Sequence, residues 1–171
     1  MRSTRSAGRR PWSARIRGVP YVPTVAHFEF HLRTGASPEA VRAALLDFTE
    51  RRPELWPGLP RDQYKVYEVR DTWAEIREGY GGPIWHRERY DWSKPDRIEW
   101  TAVESGITPG KKIVTTIEPV DGGGSRVRVV FDGTGKGWSG RLFIGLMALT
   151  RGFFIRRSIQ MGLDRIEALS R

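Results

Sequence analysis

The sequence predicts an α+β fold in which a curved antiparallel sheet of seven strands wraps around a long C-terminal helix. Three observations lead to this prediction. Strand-like runs follow one another at short intervals from Tyr64 to Asp132, and such short connections join antiparallel neighbours. One more strand and two short helices precede this series. A long segment without proline, residues 133–171, follows it, and the apolar face of the sheet needs a cover that only this segment provides.

Residues 1–24 are predicted to form a disordered basic tail. They carry six arginines and no acidic residue, and they are rich in Ser, Gly and Pro. An unstructured leader is favoured over an arm that binds anionic lipid or nucleic acid, so we expect at most a weak contact with anionic membranes. The remaining residues, 25–171, are predicted to form one domain. Its charges nearly balance, and we therefore expect no nucleic-acid partner.

Composition excludes several kinds of site. The chain has no cysteine, which excludes disulfides, cysteine nucleophiles and thiolate metal sites. No apolar run follows the basic start as it does in a signal peptide. No apolar run reaches the length of about 20 residues that crosses a bilayer. We therefore expect a cytoplasmic protein without a transmembrane segment.

The first strand and the two short helices are predicted from alternation and from capping residues. Residues 26–33 alternate between apolar and polar side chains, as in a strand with one buried face. Ser37, with proline directly behind it, is typical of a helix start, and an apolar stripe continues this helix to Phe48. A second short helix is predicted over residues 52–56, where Pro57 stops it.

Six further strands are predicted between breaks that are rich in Gly, Pro, Ser and Asp. Because each break is short, these strands are expected to form an antiparallel meander. The strands cover Tyr64–Arg70, Trp73–Gly79, Ile84–Trp92, Arg97–Val103, Lys111–Val120 and Ser125–Asp132.

The C-terminal segment is predicted to be one long helix that begins after a glycine-rich turn. Residues 133–137 form the turn, and Leu142–Ile155 is almost wholly apolar. Residues 156–169 are amphipathic, with apolar side chains at helical spacing. A helix this apolar is buried, lines a cavity or touches a membrane.

Three stretches give the sequence a resemblance to a known superfamily. They are the opening strand with Ser37–Val41 at its first helix, Trp85–Trp92 with the turn Lys94–Arg97, and the entry to the final helix at Gly133–Trp138. With this order of elements, the chain resembles the START-like helix-grip superfamily (SRPBCC), and within it the polyketide cyclase/dehydrase-like proteins. The resemblance covers residues 26–169 and rests mainly on the order of elements.

This resemblance implies a single helix-grip domain with an apolar cavity between the sheet and the long helix. Members of the superfamily bind lipids, hormones or polyketide intermediates. Some catalyse cyclisation or dehydration, and others only bind or carry their ligand. Because the superfamily has no universal catalytic signature, the resemblance assigns no catalytic residue to this chain.

Two motifs have the spacing of cofactor or metal sites, and neither is expected to be one. Residues 135–140 match the G-x-G-x-x-G dinucleotide fingerprint, but the second strand that the fingerprint requires does not follow the helix. We expect these glycines to let the chain turn onto the helix. His27 and His31 have the spacing of a helical zinc pair, but on a strand they lie roughly 13 Å apart. No cofactor and no metal are therefore expected.

His86 and Glu88 are the candidate catalytic residues. In the strand Ile84–Trp92 they alternate onto the same face as Tyr90 and Trp92, which we interpret as the inner face. A buried histidine and a buried carboxylate need partners, and such pairs can act as general acid and base. The structural interpretation, in which the two satisfy each other or sit at a solvated rim, is favoured over the catalytic one.

Seven apolar or aromatic residues are the candidate lining of the cavity. Aromatic side chains near the middle of the sheet, and methionine or phenylalanine on the covering helix, suit an adaptable apolar pocket. The candidates are Ile76, Tyr90, Trp100 and Phe131 from the sheet and Phe143, Met147 and Phe154 from the helix.

The sequence leaves three functions open. The favoured one is binding of a hydrophobic small molecule, lipid or polyketide-like, between the sheet and the C-terminal helix. The second is a polyketide cyclase/dehydratase-type enzyme that uses His86 and Glu88 as acid and base. The third is a peripheral membrane or protein-interaction module, in which exposed residues of Leu142–Ile155 make the contact and arginines engage phosphates.

Overall fold

A computed structural model describes residues 25–171 of the chain. The predicted tail, residues 1–24, lies outside the described residues. The elements are, in order, β1 (Val25–Thr34), α1 (Pro38–Leu45), α2 (Arg52–Leu55), a 3₁₀ turn (Arg61–Gln63), β2 (Lys65–Val69), β3 (Trp73–Gly79), β4 (Trp85–Asp91), β5 (Arg97–Ser105), β6 (Lys112–Pro119), β7 (Ser125–Thr134), α3 (Gly137–Leu149) and α4 (Phe153–Leu169).

The seven strands form one antiparallel sheet in the order β1-β7-β6-β5-β4-β3-β2. The first strand pairs with the last along its whole length, from Val25 opposite Thr134 to Thr34 opposite Ser125. Phe28 of β1 lies directly opposite Phe131 of β7, so both strands turn their apolar side chains to the same face of the sheet. The predicted α+β helix-grip architecture, with a seven-stranded sheet and two short helices after the first strand, is confirmed.

The C-terminal helices cover the β1–β7 end of the sheet. α3 packs on β1 and β7, while α4 packs on β1, α1 and α2. The inward side of α3 carries Gly140, Ile144 and Met147, which repeat at the spacing of one helix face. On α4, Gly162 lies so close to the Trp56 ring that an added Cβ would meet it at 2.3 Å. The core therefore lies between the sheet and these helices.

The C-terminal helical segment is divided at residues 150–152, whereas the sequence analysis predicted one uninterrupted helix. α3 ends in a Schellman motif, in which the N–H of Gly152 donates to the Met147 carbonyl at 2.9 Å and that of Arg151 to the Ala148 carbonyl at 3.2 Å. Arg151 and Gly152 both have positive φ, 48° and 72°. An isolated glycine in an apolar run is a weak signal for a helix end. Within residues 25–171, no helix has the length and apolar character needed to cross a membrane.

The glycine-rich turn before α3 allows close packing of the backbone. Gly137 has a φ of +63°, in the left-handed region that favours glycine. A Cβ on Gly140 would meet the carbonyl oxygen of Ile107 at 2.3 Å, and a Cβ on Gly135 would meet the carbonyl of Gly140 at 2.3 Å. Backbone geometry thus accounts for all three glycines of the fingerprint-like motif.

Candidate functional site

The inner face of β3, β4 and β5 forms the candidate site. The antiparallel register aligns inward-facing side chains in rows, with one member from each strand. A β-bulge interrupts the β4–β5 pairing between the rows of His86 and Glu88, and bulges often re-aim side chains next to functional sites. The rows are Ala74–Tyr90–Trp100, Ile76–Glu88–Ala102 and Glu78–His86–Ser105.

Glu88 lies at the centre of this face and forms an ion pair with Lys111. The side chains are 1% and 13% exposed, respectively. Strand pairing brings Lys111 to this position, because the N–H of Ala102 donates to the Lys111 carbonyl at 2.8 Å. Lys111 contacts carboxylate oxygen Oε1, while Oε2 is buried and has no hydrogen-bond partner among residues 25–171. Since buried polar atoms rarely lack a partner, Oε2 marks a place for an additional donor.

His86 is held by the loop between β5 and β6 rather than by Glu88. Its Nε2 lies 2.7 Å from the Thr108 hydroxyl, and the Ser105 hydroxyl accepts the N–H of Thr108 at 2.8 Å. Burial, and then the charge of Lys111, lowers the pKa of His86 to about 2. The imidazole is therefore neutral at physiological pH.

Arg52 forms a second buried ion pair on this side of the sheet. Its Nε donates to Glu78 at 2.6 Å, and its other nitrogens donate to the Tyr90 hydroxyl at 2.9 Å and to the carbonyls of Leu45 at 3.0 Å and Asp47 at 3.2 Å. Burial acts to lower the pKa of Arg52, but the neighbouring Glu78 carboxylate and Tyr90 outweigh it and raise the pKa. This guanidinium thus joins α2 to β3 and β4 and remains charged.

Two tyrosines border the same cluster. Burial raises the pKa of Tyr64 to about 12, and the Tyr64 hydroxyl has no hydrogen-bond partner among residues 25–171. Half of Tyr80 is exposed, yet burial around its hydroxyl, with the charges of Glu78 and Glu88, raises its pKa. Tyr80 therefore lies at the boundary between the cluster and solvent.

Comparison with solved structures identifies this architecture. The aromatase/cyclase Zhui from Streptomyces sp. R1128 superposes with a TM-score of 0.70 at 13% identity, over 86% of this chain and 96% of its own. A START superfamily protein from Mycobacterium smegmatis superposes with a TM-score of 0.61 at 12% identity, over 84% of this chain and 98% of its own. The chain has the helix-grip fold of the START-like proteins.

A third solved structure of similar fold is a complex with small molecules. It is norcoclaurine synthase from Thalictrum flavum in complex with dopamine and hydroxybenzaldehyde, with a TM-score of 0.64 at 10% identity over 99% of this chain and 96% of its own. At these identities the likeness extends to the fold alone. No protein-family model matches the sequence, and no curated protein matches it.

The helix-grip interior brings together most of the predicted lining residues. Five of them lie in the core: Ile76, Tyr90, Trp100, Phe131 and Met147. Tyr90 stacks on Trp100 with 5.1 Å between ring centroids, and both lie one row from Glu88 in the sheet. Phe131 instead stacks on Phe28 at the β1–β7 end, and Phe143 is partly buried against the core.

Phe154 is the predicted lining residue that the structure places outside the core. Its side chain is 53% exposed. The prediction assumed a continuous helix, in which Phe154 would share a face with Phe143 and Met147. The break at residues 150–152 resets the direction of the helix and turns Phe154 away from the core.

Two clefts of the structure lie at the α1 side of the fold rather than between the sheet and α3. One, of about 190 Å³, lies between α1 and the neighbouring ends of β5 and β6. The other, of about 240 Å³, lies among α1, α2 and α4. The predicted cavity between the sheet and the helix corresponds to neither cleft, and aromatic side chains fill the layer around Tyr90.

Sequence reasoning missed both cationic partners, Arg52 and Lys111. The sequence does contain a signal for Lys111, because alternation along the strand places it on the same inward face as Ile113 and Thr115. Arg52 had none, since an arginine in a short helix is ordinarily solvated. Within residues 25–171, no three His, Asp or Glu side chains come together as a metal site requires.

Proposed function

We propose that the protein binds a hydrophobic small molecule with a polar hydrogen-bond donor, in the space between the inner face of the sheet and the C-terminal helices. The observation that carries the proposal is the buried Oε2 of Glu88, which has no partner among residues 25–171. A carboxylate oxygen only accepts hydrogen bonds, so the missing partner is an O–H or N–H donor. A hydroxylated lipid or a polyketide-like compound carries such a donor on a hydrophobic body.

The surroundings of Glu88 match such a ligand. Lys111 occupies Oε1 and leaves Oε2 without a partner among residues 25–171, and hydrogen bonds to a carboxylate are stronger than those between neutral groups. The stacked rings of Tyr90 and Trp100 in the adjacent row offer a flat apolar surface. Small-molecule sites are usually lined by apolar and aromatic side chains, with a few polar groups that orient the ligand.

The fold also supports this ligand class. A structure of similar fold is a complex with dopamine and hydroxybenzaldehyde, which are small aromatic molecules with hydroxyl groups. Another is an aromatase/cyclase. Because aromatic side chains fill the layer around Tyr90, a ligand in this position displaces side chains such as Phe48, which packs edge-on against Tyr90 with 5.2 Å between ring centroids.

The test compares two probes that differ by one hydroxyl group, naphthol and naphthalene, by quenching of tryptophan fluorescence. We expect naphthol to bind about tenfold more tightly, because a hydrogen bond to a charged group contributes about 1.5–3 kcal/mol. In Glu88→Met/Lys111→Met, which removes both charges together, the advantage of naphthol should disappear. Glu118→Gln, an exposed carboxylate on β6, is the matched control and should keep it.

Equal affinity of the two probes for the unaltered protein would contradict the proposed hydrogen bond to Glu88. Absence of binding of either probe, together with native mass spectrometry that finds no copurified small molecule, would contradict ligand binding altogether.

A second candidate function is a cyclisation or dehydration enzyme in which Glu88 takes a proton from the substrate. The same unpartnered Oε2 favours it, since a general base needs an acceptor atom that no other group occupies. His86, with its pKa lowered to about 2, is a weak base and would act as a neutral hydrogen-bonding group. Turnover of a poly-β-keto substrate that is lost in Glu88→Gln and retained in Glu118→Gln supports this function, whereas equal turnover in both variants removes Glu88 from the mechanism.

A further inference from the structure

An exposed apolar stripe runs along the outer side of α3. Trp138, Leu142, Leu146 and Leu149 repeat at intervals of three and four residues, which places them on one face of the helix. Trp138 is 79% and Leu149 82% exposed. The opposite face of α3 carries the buried Gly140, Ile144 and Met147, so the stripe is not needed to attach α3 to the sheet.

The segment that carries the stripe has basic residues and no acidic ones. Between residues 133 and 163 the chain has five basic residues and no acidic one. All five basic residues are exposed, and none forms an ion pair with another described residue: Lys136, Arg141, Arg151, Arg156 and Arg157. Exposed large apolar residues with a purely basic surround are typical of helices that lie in the surface of an anionic bilayer.

The arginine-rich segment 1–24 joins the fold beside this helix. Val25, the first described residue, pairs with Thr134 at the end of β7, and α3 begins shortly afterwards at Gly137. In sequence, six further arginines precede Val25.

From these observations we infer that the outer face of α3 docks on an anionic lipid surface, with the apolar stripe inserted at the level of the headgroups and the surrounding arginines on the phosphates. A second copy of this chain is a poor occupant, because two such faces would bring together the like charges of residues 133–163, a segment without an acidic residue. The indole of Trp138 is suited to the interface between headgroups and acyl chains. The inference goes beyond the proposed ligand binding and does not depend on it.

The experiment is flotation of the full chain with vesicles of phosphatidylcholine alone and with vesicles that contain about one third phosphatidylglycerol. We expect binding to the anionic vesicles, with an affinity at least about tenfold higher than for the neutral ones, and weaker binding as salt is raised. In Leu142→Ser/Leu149→Ser, the affinity for anionic vesicles should fall at least about tenfold. Val69→Ser/Val103→Ser, which alters two exposed valines of the sheet, is the matched control and should bind as the unaltered protein does.

A charge variant keeps the test informative if the leucine variant does not fold. In Arg156→Gln/Arg157→Gln, binding to anionic vesicles should weaken and depend less on salt, while Arg33→Gln/Arg51→Gln, with two exposed arginines elsewhere, should not differ from the unaltered protein. Absence of binding to anionic vesicles, or equal binding of the leucine variant and the unaltered protein, would overturn the inference. A concentration-dependent dimer that the leucine variant loses would instead assign the stripe to self-association.

Discussion

Two buried ion pairs on the inner side of one sheet differ in how completely their atoms are hydrogen-bonded. In the pair Arg52–Glu78, the guanidinium also donates to a tyrosine hydroxyl and to two backbone carbonyls. In the pair Glu88–Lys111, one carboxylate oxygen has no partner among residues 25–171. Since unmade buried hydrogen bonds cost free energy, the first pair is suited to holding elements together and the second to receiving a ligand.

The largest expected effect follows from breaking the fully bonded pair. Arg52→Met leaves Glu78 and two carbonyl groups without their donor, and we expect the free energy of unfolding to fall by about 3–5 kcal/mol. Urea denaturation at neutral pH measures it. Arg128→Met breaks the exposed pair of Arg128 with Glu29 on the outer face and should cost at most about 1 kcal/mol. Similar losses in the two variants would contradict a structural role for Arg52.

The next effect concerns His86, the neighbour of Glu88 on β4. Its pKa is about 2 in the folded protein, whereas an unfolded chain protonates histidine near its ordinary pKa of about 6.5. Below that pH the unfolded state binds more protons, so stability is lost as the pH falls, with a slope of about 1.4 kcal/mol per pH unit. Between pH 6.5 and 5 the loss from this group is about 1.6 kcal/mol, and above about pH 7.5 it contributes almost none.

Urea denaturation across this pH range should show the slope in the unaltered protein. His86→Gln should lack that part of the slope, while His31→Gln, an exposed histidine of β1, should retain it. An unchanged slope in His86→Gln would contradict a neutral, buried imidazole at this position.

A smaller effect is expected when both partners of a pair are replaced. Glu88→Met/Lys111→Met should change the free energy of unfolding by less than about 1 kcal/mol or raise it, because no unpaired charge remains. Arg52→Met/Glu78→Met should still destabilise the protein, since the carbonyls of α1 and its following loop lose their donor. If the two double variants lost the same stability, the distinction between the pairs would fail.

The smallest expected effect is electrostatic and links Lys111 to His86. Burial is the larger cause of the lowered pKa of His86, and the charge of Lys111 is the second. Lys111→Met should therefore raise the pKa of His86 while leaving it below the ordinary value. The pH titration of the His86 ring signals by NMR measures this change. An unaltered pKa would contradict an electrostatic effect of Lys111 on His86.

Alternation along the chain was sufficient to predict the strands and the facing of their side chains. The parity of residues 84–92 predicted that His86, Glu88 and Tyr90 lie on the inner face, and all three are buried there. Alternation succeeds because side chains of a strand point to opposite faces by local geometry alone. The choice of Phe154 as a lining residue rested instead on one continuous C-terminal helix, and the Schellman ending at residues 150–152 divides that helix before Phe154.

The order of elements, the seven strands, the two short helices and the apolar C-terminal segment were determined by the sequence itself, since periodicity and turn residues are local properties. The partners of the buried groups were decided only by the tertiary structure. Glu88 was expected to meet His86 or to lie at a solvated rim. It pairs instead with Lys111, which reaches it through the pairing of β4 with β5 and of Lys111 with Ala102. Arg52 enters the interior because α2 packs over β3 and β4. Such contacts depend on strand register and on packing between residues far apart in the sequence, and a local sequence pattern determines neither.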